Sequence, residues 1–455
     1  MNVMHPRVSQ EQITARLVEQ AHAVTFDQLS PETVTLAQQC VLDYLGVTLA
    51  GVPEPASQIV YAEAIEQGGT PIAHLIGRGD IRLPALSAAL VNGTTSHALD
   101  FDDVNLAMPG HPSVAILPAL LALGEELHAD GAAIAAAFVA GYELQCRLGR
   151  LLAPHHYDDG FHPTGTIGTF GAAVACSHLL QFDRERMAIA LGIAGTQAAG
   201  LKSMFGTMCK PLHAGKAAAN GLLAARLARR GFDSRPNVIE IKQGFATTHS
   251  ADYNLGDALA DPPRGTYLRQ NLFKYHAACY LVHATIEATR SLRIEHRLIP
   301  ADIKTVQLRL DRSCDSVCNI LEPKTGLEAK FSLRHACAMA LVGVDTAALE
   351  SYTDARAADQ ALIALRQKVG VEFMTGWSNA VTEIDIELTD GRRLSARHDA
   401  GIPASDVAEQ GCRIDAKFRT LAGPLLGMVR TERIIALTAQ LGRLTGIGEL
   451  ARLCS

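Results

Sequence analysis

The stretch ADGAAIAAAFVAGYELQCRLGRLL, residues 129–152, is apolar on nearly every side and rich in alanine and glycine. A helix that is hydrophobic all round is normally buried. Small side chains let neighbouring helices approach it closely. Asp130 offers an acceptor at its start. A buried helix needs others to cover it, and the flanking sequence supplies them. QEQITARLVEQAHAV (10–24), SPETVTLAQQCVLDYLGVTLAG (30–51) and RERMAIALGIAGTQAAGL (184–201) all carry helical patterns. Ser30-Pro31 marks one start, and Gly231 marks the end of a helix that opens near Lys210. Residues 1–265 therefore read as helix packed on helix.

The texture changes after residue 265. IKTVQLRLD (303–311) alternates apolar and polar residues, as a half-buried strand does. AVTEIDIELTDGRRLSARHD (380–399) reads as two strands joined at Asp390-Gly391, a strong hairpin signal. The helical stretch EAKFSLRHACAMALVG (328–343) lies between them. The final stretch, DAKFRTLAGPLLGMVRTERIIALTAQLGRLTGIGEL (415–450), is helical again. The expected fold class is mainly α: a large all-helical domain plus a smaller α+β domain. The expected boundaries are 1–265, 266–400 and a helical return over 401–455.

Composition narrows the class. A chain of 455 residues can bury large cores in two or three domains. Hydrophobic residues make up 48% and charged residues 19%, which excludes a disordered chain. The net charge of −6 and the lack of a long basic run argue against nucleic acid as a partner. RLARR (226–230) reads as a basic helix end before Gly231. The ten cysteines are scattered. Cys314 and Cys318 are four apart, but no second pair has zinc spacing. Buried thiols in a reducing compartment account for them. No HExxH, CxxC or Walker sequence appears. The N-terminal residues carry no apolar export segment, and no uncharged apolar run reaches the roughly 18 residues that span a bilayer. The expectation is a cytoplasmic enzyme with no membrane partner, no cofactor and no metal.

Three basic residues each precede a proline that reads as the first residue of a helix. They are His111 in GHPSVAILPALLALGEEL, His162 in FHPTGTIGTFGAAVACSHLL and Lys210 in CKPLHAGKAAANGLLAARLARRGF. Proline suits the first helical position, because its fixed φ fits and its missing N–H costs nothing there. Helix starts carry partial positive charge and unpaired donors, so a basic residue beside one makes an anion site. Taken singly, each is more often a solvated cap than a site. Repetition favours a shared site for several carboxylates or phosphates. Upstream, Asp100, Asp102 and Asp103 crowd into NGTTSHALDFDDVNLAMPGHPSV (92–114). That cluster fits a solvated turn, a site for a hard cation, or an acid that polarises a histidine or takes a proton.

The order NGxxxHALDFDDxN, GHPSVAILPALLALGE, GFHPTGTIGTFGAAVA and KPLHAGKAAANGLLAARLA resembles the MmgE/PrpD family. VLDYLGVTLAG (41–51) resembles that family's opening helix. The family includes 2-methylcitrate and citrate dehydratases, cis-aconitate decarboxylase and iminodisuccinate epimerase. The resemblance implies a large helical domain, a lid-like α+β domain and a homodimer. It also implies roles. Asp100, His111, His162 and Lys210 match catalytic positions, and Lys274 in YLRQNLFKYHAACYLVHATIEA (267–288) matches a later lysine. Lys274, His213, Tyr275 and Lys202 are the expected substrate-binding residues. Three positions depart from decarboxylase-like members: Val104 stands for a threonine, Cys279 for a histidine, and Val317 or Cys318 for a tyrosine. Val114-Ala115 follows the HPS motif where methylcitrate dehydratases tend to have an aspartate.

These residues suit abstraction of a proton next to a carboxylate of a small di- or tricarboxylic acid. His111 or His162 would be the base and the other the acid, with Asp100 orienting one of them. Lysines and helix starts would stabilise the enolate-like charge without a metal. Expulsion of a leaving group gives a dehydratase-type lyase, the favoured outcome. Reprotonation on the other face gives an epimerase, and loss of a carboxylate gives a cis-aconitate-type decarboxylase. Two other classes compete: a metal-dependent hydrolase using Asp100, Asp102, His111 and His162, and a non-catalytic binding protein.

Overall fold

The computed structural model describes residues 12–455. The first eleven residues, on which the expectation of no export segment rests, lie outside them. Helix accounts for 60% of the chain and strand for 9%, so the fold is mainly α. Two compact units form. The first runs to Phe273 and resumes at Ser405–Ser455; the second is Lys274–Ala404.

In the first unit, five long helices build the frame that carries the motifs. The Cys209–Arg229 helix packs on Ala85–His97, on Ser113–Leu127 and on Thr166–Leu179, and Gly131–Leu152 packs on Thr166–Leu179. Residues 129–152 behave as their pattern predicts. Asp130 caps the helix by accepting from Ala133 N–H at 2.7 Å, and Phe138, Tyr142, Leu148 and Leu152 are buried. Glycine sets the closest crossing. A Cβ on Gly93 would stand 2.7 Å from the Gly215 Cα, so the two helices meet backbone to backbone. Lost apolar contacts in such a core cost several kcal/mol per large side chain.

The helix starts differ from expectation at all three prolines. Pro112 is the cap and the helix begins at Ser113. Pro163 lies in a turn and the helix begins at Thr166. Lys210 is inside its helix, which begins at Cys209, and Pro211 is the third residue. The reason is local. The Thr207 hydroxyl oxygen accepts from Cys209 N–H at 3.2 Å and so starts that helix earlier. Pro211 remains in the first turn, where a missing N–H costs nothing.

The second unit holds a four-stranded sheet. Ile303–Asp311 pairs in parallel with Val369–Met374 and antiparallel with Val381–Leu388, which pairs with Arg393–Asp399. The hairpin turns at Asp390-Gly391, with Gly391 at φ 87°, a conformation glycine adopts without strain. Ile384, Ile386 and Leu388 are buried on one face of their strand, and the His283–His296 helix packs on this hairpin.

After the second unit the chain returns as the helix Val407–Leu426, which packs along Pro31–Gly51. Its Lys417 Nζ donates to Asp43 Oδ1 at 2.6 Å and to the Phe101 carbonyl at 2.8 Å, and it stacks 3.9 Å from the Phe101 ring centroid. This ties the DFDD turn to the core. Asn105 continues the anchoring by donating to Tyr142 Oη at 3.0 Å and to the Tyr267 carbonyl at 3.0 Å.

Candidate active site

The DFDD turn begins where the Ala85–His97 helix ends. Asp100 N–H donates to the His97 carbonyl at 3.1 Å, and Asp100 adopts φ 52°. This left-handed conformation is uncommon outside glycine, although aspartate tolerates it better than most residues. The turn separates the three acids. Asp100 faces outward, its Oδ1 2.8 Å from Lys210 Nζ and 3.4 Å from His111 Nε2. Asp102 is buried, accepting from His97 Nδ1 at 2.9 Å and lying 3.0 Å from His111 Nδ1. Asp103 accepts from the Ser113 hydroxyl at 2.5 Å and from Ser113 N–H at 3.3 Å.

The Asp103 contact corrects the anion-site expectation at His111. A carboxylate of the chain itself already occupies the start of the Ser113 helix. Burial, with Asp43 nearby, pushes the Asp103 carboxyl up to about 7. Asp102 goes the other way. Burial would raise it, but the imidazoles of His111 and His97 outweigh burial and hold it well below the usual carboxylate range.

Imidazoles continue the cluster. The His97 ring lies 4.5 Å from His111 and 6.0 Å from His162 between centroids. His162 Nδ1 is 3.0 Å from His213 Nδ1, so one donates to the other. The Phe205 ring meets His162 edge-on at 4.9 Å, and Lys210 Nζ sits 5.3 Å from that ring. Burial pushes His97 down to about 4. Burial and then the neighbouring imidazoles and Lys210 push His162 well below the ordinary histidine range. His213 is lowered too, by burial first and then by His97 and Lys210. His97, His162 and His213 are thus held toward their neutral forms beside Lys210, Asp100 and Asp102.

Five of the eight expected residues meet here: Asp100, His111, His162, Lys210 and His213. Lys202 turns to Tyr157, donating to its carbonyl at 2.8 Å and lying 3.5 Å from its ring centroid. Lys274, buried, and Tyr275, half-buried, open the second unit. His97 was not among the expected residues. Its signal was present in the sequence as an imidazole three residues before Asp100, at a helix end. His97 Nε2 is buried without a hydrogen-bond partner, and groups left in that state are costly and uncommon.

One donor set among the described residues has cation-binding spacing. Single donor atoms of His97, Asp100, Asp102 and His111 all lie within 4.8 Å of one another. It differs from the set considered for a hydrolase, since His97 replaces His162. The Lys210 ammonium competes with a cation for Asp100, and His97 and His111 would have to give up their contacts with Asp102 to serve as ligands.

The comparisons agree with this architecture. The MmgE/PrpD N-terminal domain model matches residues 15–257, and the MmgE/PrpD C-terminal domain model matches residues 276–442. The chain belongs to the MmgE/PrpD family. It is 29% identical to the human cis-aconitate decarboxylase, across 94% of this chain and 92% of that protein. It is 29% identical to the Mus musculus cis-aconitate decarboxylase, across 97% and 93%. The Aspergillus terreus cis-aconitate decarboxylase is 27% identical, across 97% and 95%. No described helix is long and apolar enough to cross a membrane.

Proposed function

We propose that the chain is a metal-independent lyase of a small di- or tricarboxylic acid, acting by proton transfer at a carbon next to a carboxylate. The observation that carries this reading is the shared Asp100 Oδ1, approached at 2.8 Å by Lys210 and at 3.4 Å by His111. A substrate carboxylate can replace that oxygen, taking the ammonium and leaving Asp100 beside the reacting carbon. Lys210 then faces the charge that develops in the transition state, where a preorganised cation is worth most. His162 is held toward its neutral form and braced by His213, so its ring can accept a proton. Asp102 holds His97 and His111 in orientation. General acid–base groups supply about 10²–10⁴-fold, so most of the remaining acceleration falls to Lys210.

Decarboxylation of a cis-aconitate-like acid is the second reading, favoured by full-length similarity to three cis-aconitate decarboxylases. Against it stand Val104, which is buried, and Cys279, at positions where the resemblance to decarboxylase-like members implies a threonine and a histidine. Epimerisation of an iminodisuccinate-like acid uses the same proton abstraction. A homodimer in the cytoplasm is the expected setting.

Proton NMR in D₂O with citrate, 2-methylcitrate, cis-aconitate, iminodisuccinate and malate separates these outcomes. A new alkene signal without CO₂ release establishes the dehydratase. Itaconate-type signals with CO₂ establish the decarboxylase. Deuterium exchange alone establishes the epimerase. Turnover abolished by a strong chelator and restored by a divalent ion would overturn metal independence and move the chemistry to the His97, Asp100, Asp102 and His111 set.

A further inference from the structure

Cys314 and Cys318 stand one helical turn apart in the second unit, just after the Ile303–Asp311 strand. Cys314 ends the turn Arg312–Cys314, and Cys318 ends the short helix Asp315–Cys318. Both are buried, while Arg312, Ser313, Asp315, Ser316 and Val317 around them are exposed. The two thiols therefore lie one residue layer beneath the surface, under a single turn of chain. Among the described residues, the donor set with cation-binding spacing is the His97 group of the first unit, so these cysteines are not part of a metal cage.

The pair is already in contact. The Cys318 thiol donates to the Cys314 carbonyl at 3.3 Å, which folds it back over the turn. The Cys314 thiol donates to the Asn379 carbonyl at 3.8 Å. The two side chains also hydrogen-bond to each other. That bond lowers the Cys314 thiol, which suits it to attack, because the thiolate is the nucleophile. The same bond, with burial, raises Cys318 and keeps it a thiol. Residues one turn apart have Cα atoms about 6 Å apart, within the roughly 4.4–6.8 Å range of disulfides. Their Cβ atoms stand about 5–6 Å apart, against the roughly 3.5–4.5 Å that a disulfide needs. Bond formation must tighten the turn, and a four-residue helix under exposed neighbours can give by that much. A disulfide closed against such resistance is readily reduced again.

We propose that Cys314 and Cys318 are a dithiol that hydrogen peroxide closes reversibly to a disulfide. The Cys314 thiolate attacks one peroxide oxygen. The O–O bond breaks, a sulfenic acid forms, and the other oxygen leaves as water after taking up the Cys314 proton. Cys318 then attacks the sulfenic sulfur. The S–S bond forms, the S–O bond breaks, and the hydroxyl leaves with the Cys318 proton as a second water. Two thiols are oxidised and one peroxide is reduced. Closure removes both S–H donors, and with them the bonds to the Asn379 and Cys314 carbonyls. None of this depends on the reaction assigned to the first unit.

Treatment of the full chain with hydrogen peroxide, then alkylation under denaturing conditions and mass spectrometry, tests it. Wild type loses two of its ten alkylatable thiols. The tryptic peptide 313–324, which holds both cysteines, becomes lighter by two hydrogens, and dithiothreitol restores it. Cys318→Ser abolishes closure and leaves a sulfenic acid on Cys314 that dimedone traps. Cys318→Ala gives the same trapping, and circular dichroism checks that both variants are folded. Cys314→Ser abolishes closure and leaves no dimedone adduct on Cys318. A 313–324 peptide that keeps its mass after the exposed Cys209 and Cys412 have reacted overturns the proposal. So does a disulfide from Cys318 to the half-buried Cys279, which precedes the Tyr280–Val282 turn packed on this helix, or oxidation that dithiothreitol does not reverse.

Discussion

Two lysine–aspartate pairs in the first unit differ little in length and greatly in setting. Lys417 and Asp43 are 2.6 Å apart with side chains each 2% exposed; Lys210 and Asp100 are 2.8 Å apart with 16% and 43% exposed. Distance does not tell a structural pair from a reactive one. Surroundings do. Lys417 also donates to the Phe101 carbonyl and stacks on the Phe101 ring, so its charge is fully committed to the fold. Asp100 is shared between Lys210 and His111 at a half-open turn, so a substrate carboxylate can enter without unfolding anything. The sealed pair holds the turn that the open pair sits on.

Removing one partner of the sealed pair produces the largest effect on stability. Lys417→Met leaves Asp43 buried without its cation, which costs about 3–5 kcal/mol. Chemical denaturation of the first unit should show that loss, and a variant as stable as wild type would erase the distinction between the pairs.

Lys210→Ala should reverse the pattern. An exposed or half-exposed ion pair contributes about 0–1 kcal/mol, so melting changes little. Turnover falls about 10²–10³-fold, the range for losing one preorganised charge-stabilising group. His162→Ala should likewise lose most turnover with folding intact, checked by circular dichroism. Near-wild-type rates in either variant would place the chemistry elsewhere.

Acid separates the cluster from the rest of the unit by sign. His97 titrates near 4 in the folded chain, because burial disfavours its cation, and near 6.5 when unfolded. Between these values the unfolded state binds a proton that the folded state does not. Stability therefore falls as pH drops from about 6.5 to about 4, by about 3 kcal/mol for this residue. His156, also near 4 through burial, adds to the slope. Asp102, held low by His111 and His97, acts only in stronger acid. His97→Gln should flatten the profile between pH 6.5 and 4 relative to wild type; an identical slope would mean His97 is not buried neutral.

Much of this was legible from residue pattern. The all-round apolar run at 129–152 forced a helical core, and alternation at 303–311 and 380–399 gave three of the four sheet strands. The fourth, Val369–Met374, is a six-residue strand paired in parallel, and so short a run carries little periodicity. His111, His162 and Lys210 lie in one cluster around Asp100 and His97, but not in the way the helix-start reading expects. Helix starts were to hold the anion, whereas Asp103 fills one of them and the other two basic residues do not stand at a cap. His97 was missed because its place three residues before Asp100 marks only a helix end, while its role depends on burial beside Asp102.

The turn that carries Asp100 allows the subtlest test. Its φ of 52° stores backbone strain, and strain of this kind persists where the surroundings or a function require it. Glycine adopts the conformation freely, so Asp100→Gly should relieve the strain while removing the carboxylate. Greater freedom of the unfolded glycine chain opposes that gain, which leaves the net stability change within about 1 kcal/mol. Activity should fall sharply, and Asp100→Asn, which keeps the side-chain shape, should lose activity comparably. A glycine variant that melts like wild type but turns over poorly assigns the turn's strain to placing a carboxylate before Lys210 and His111. A glycine variant that loses several kcal/mol would instead make Asp100, like Asp43, part of the frame.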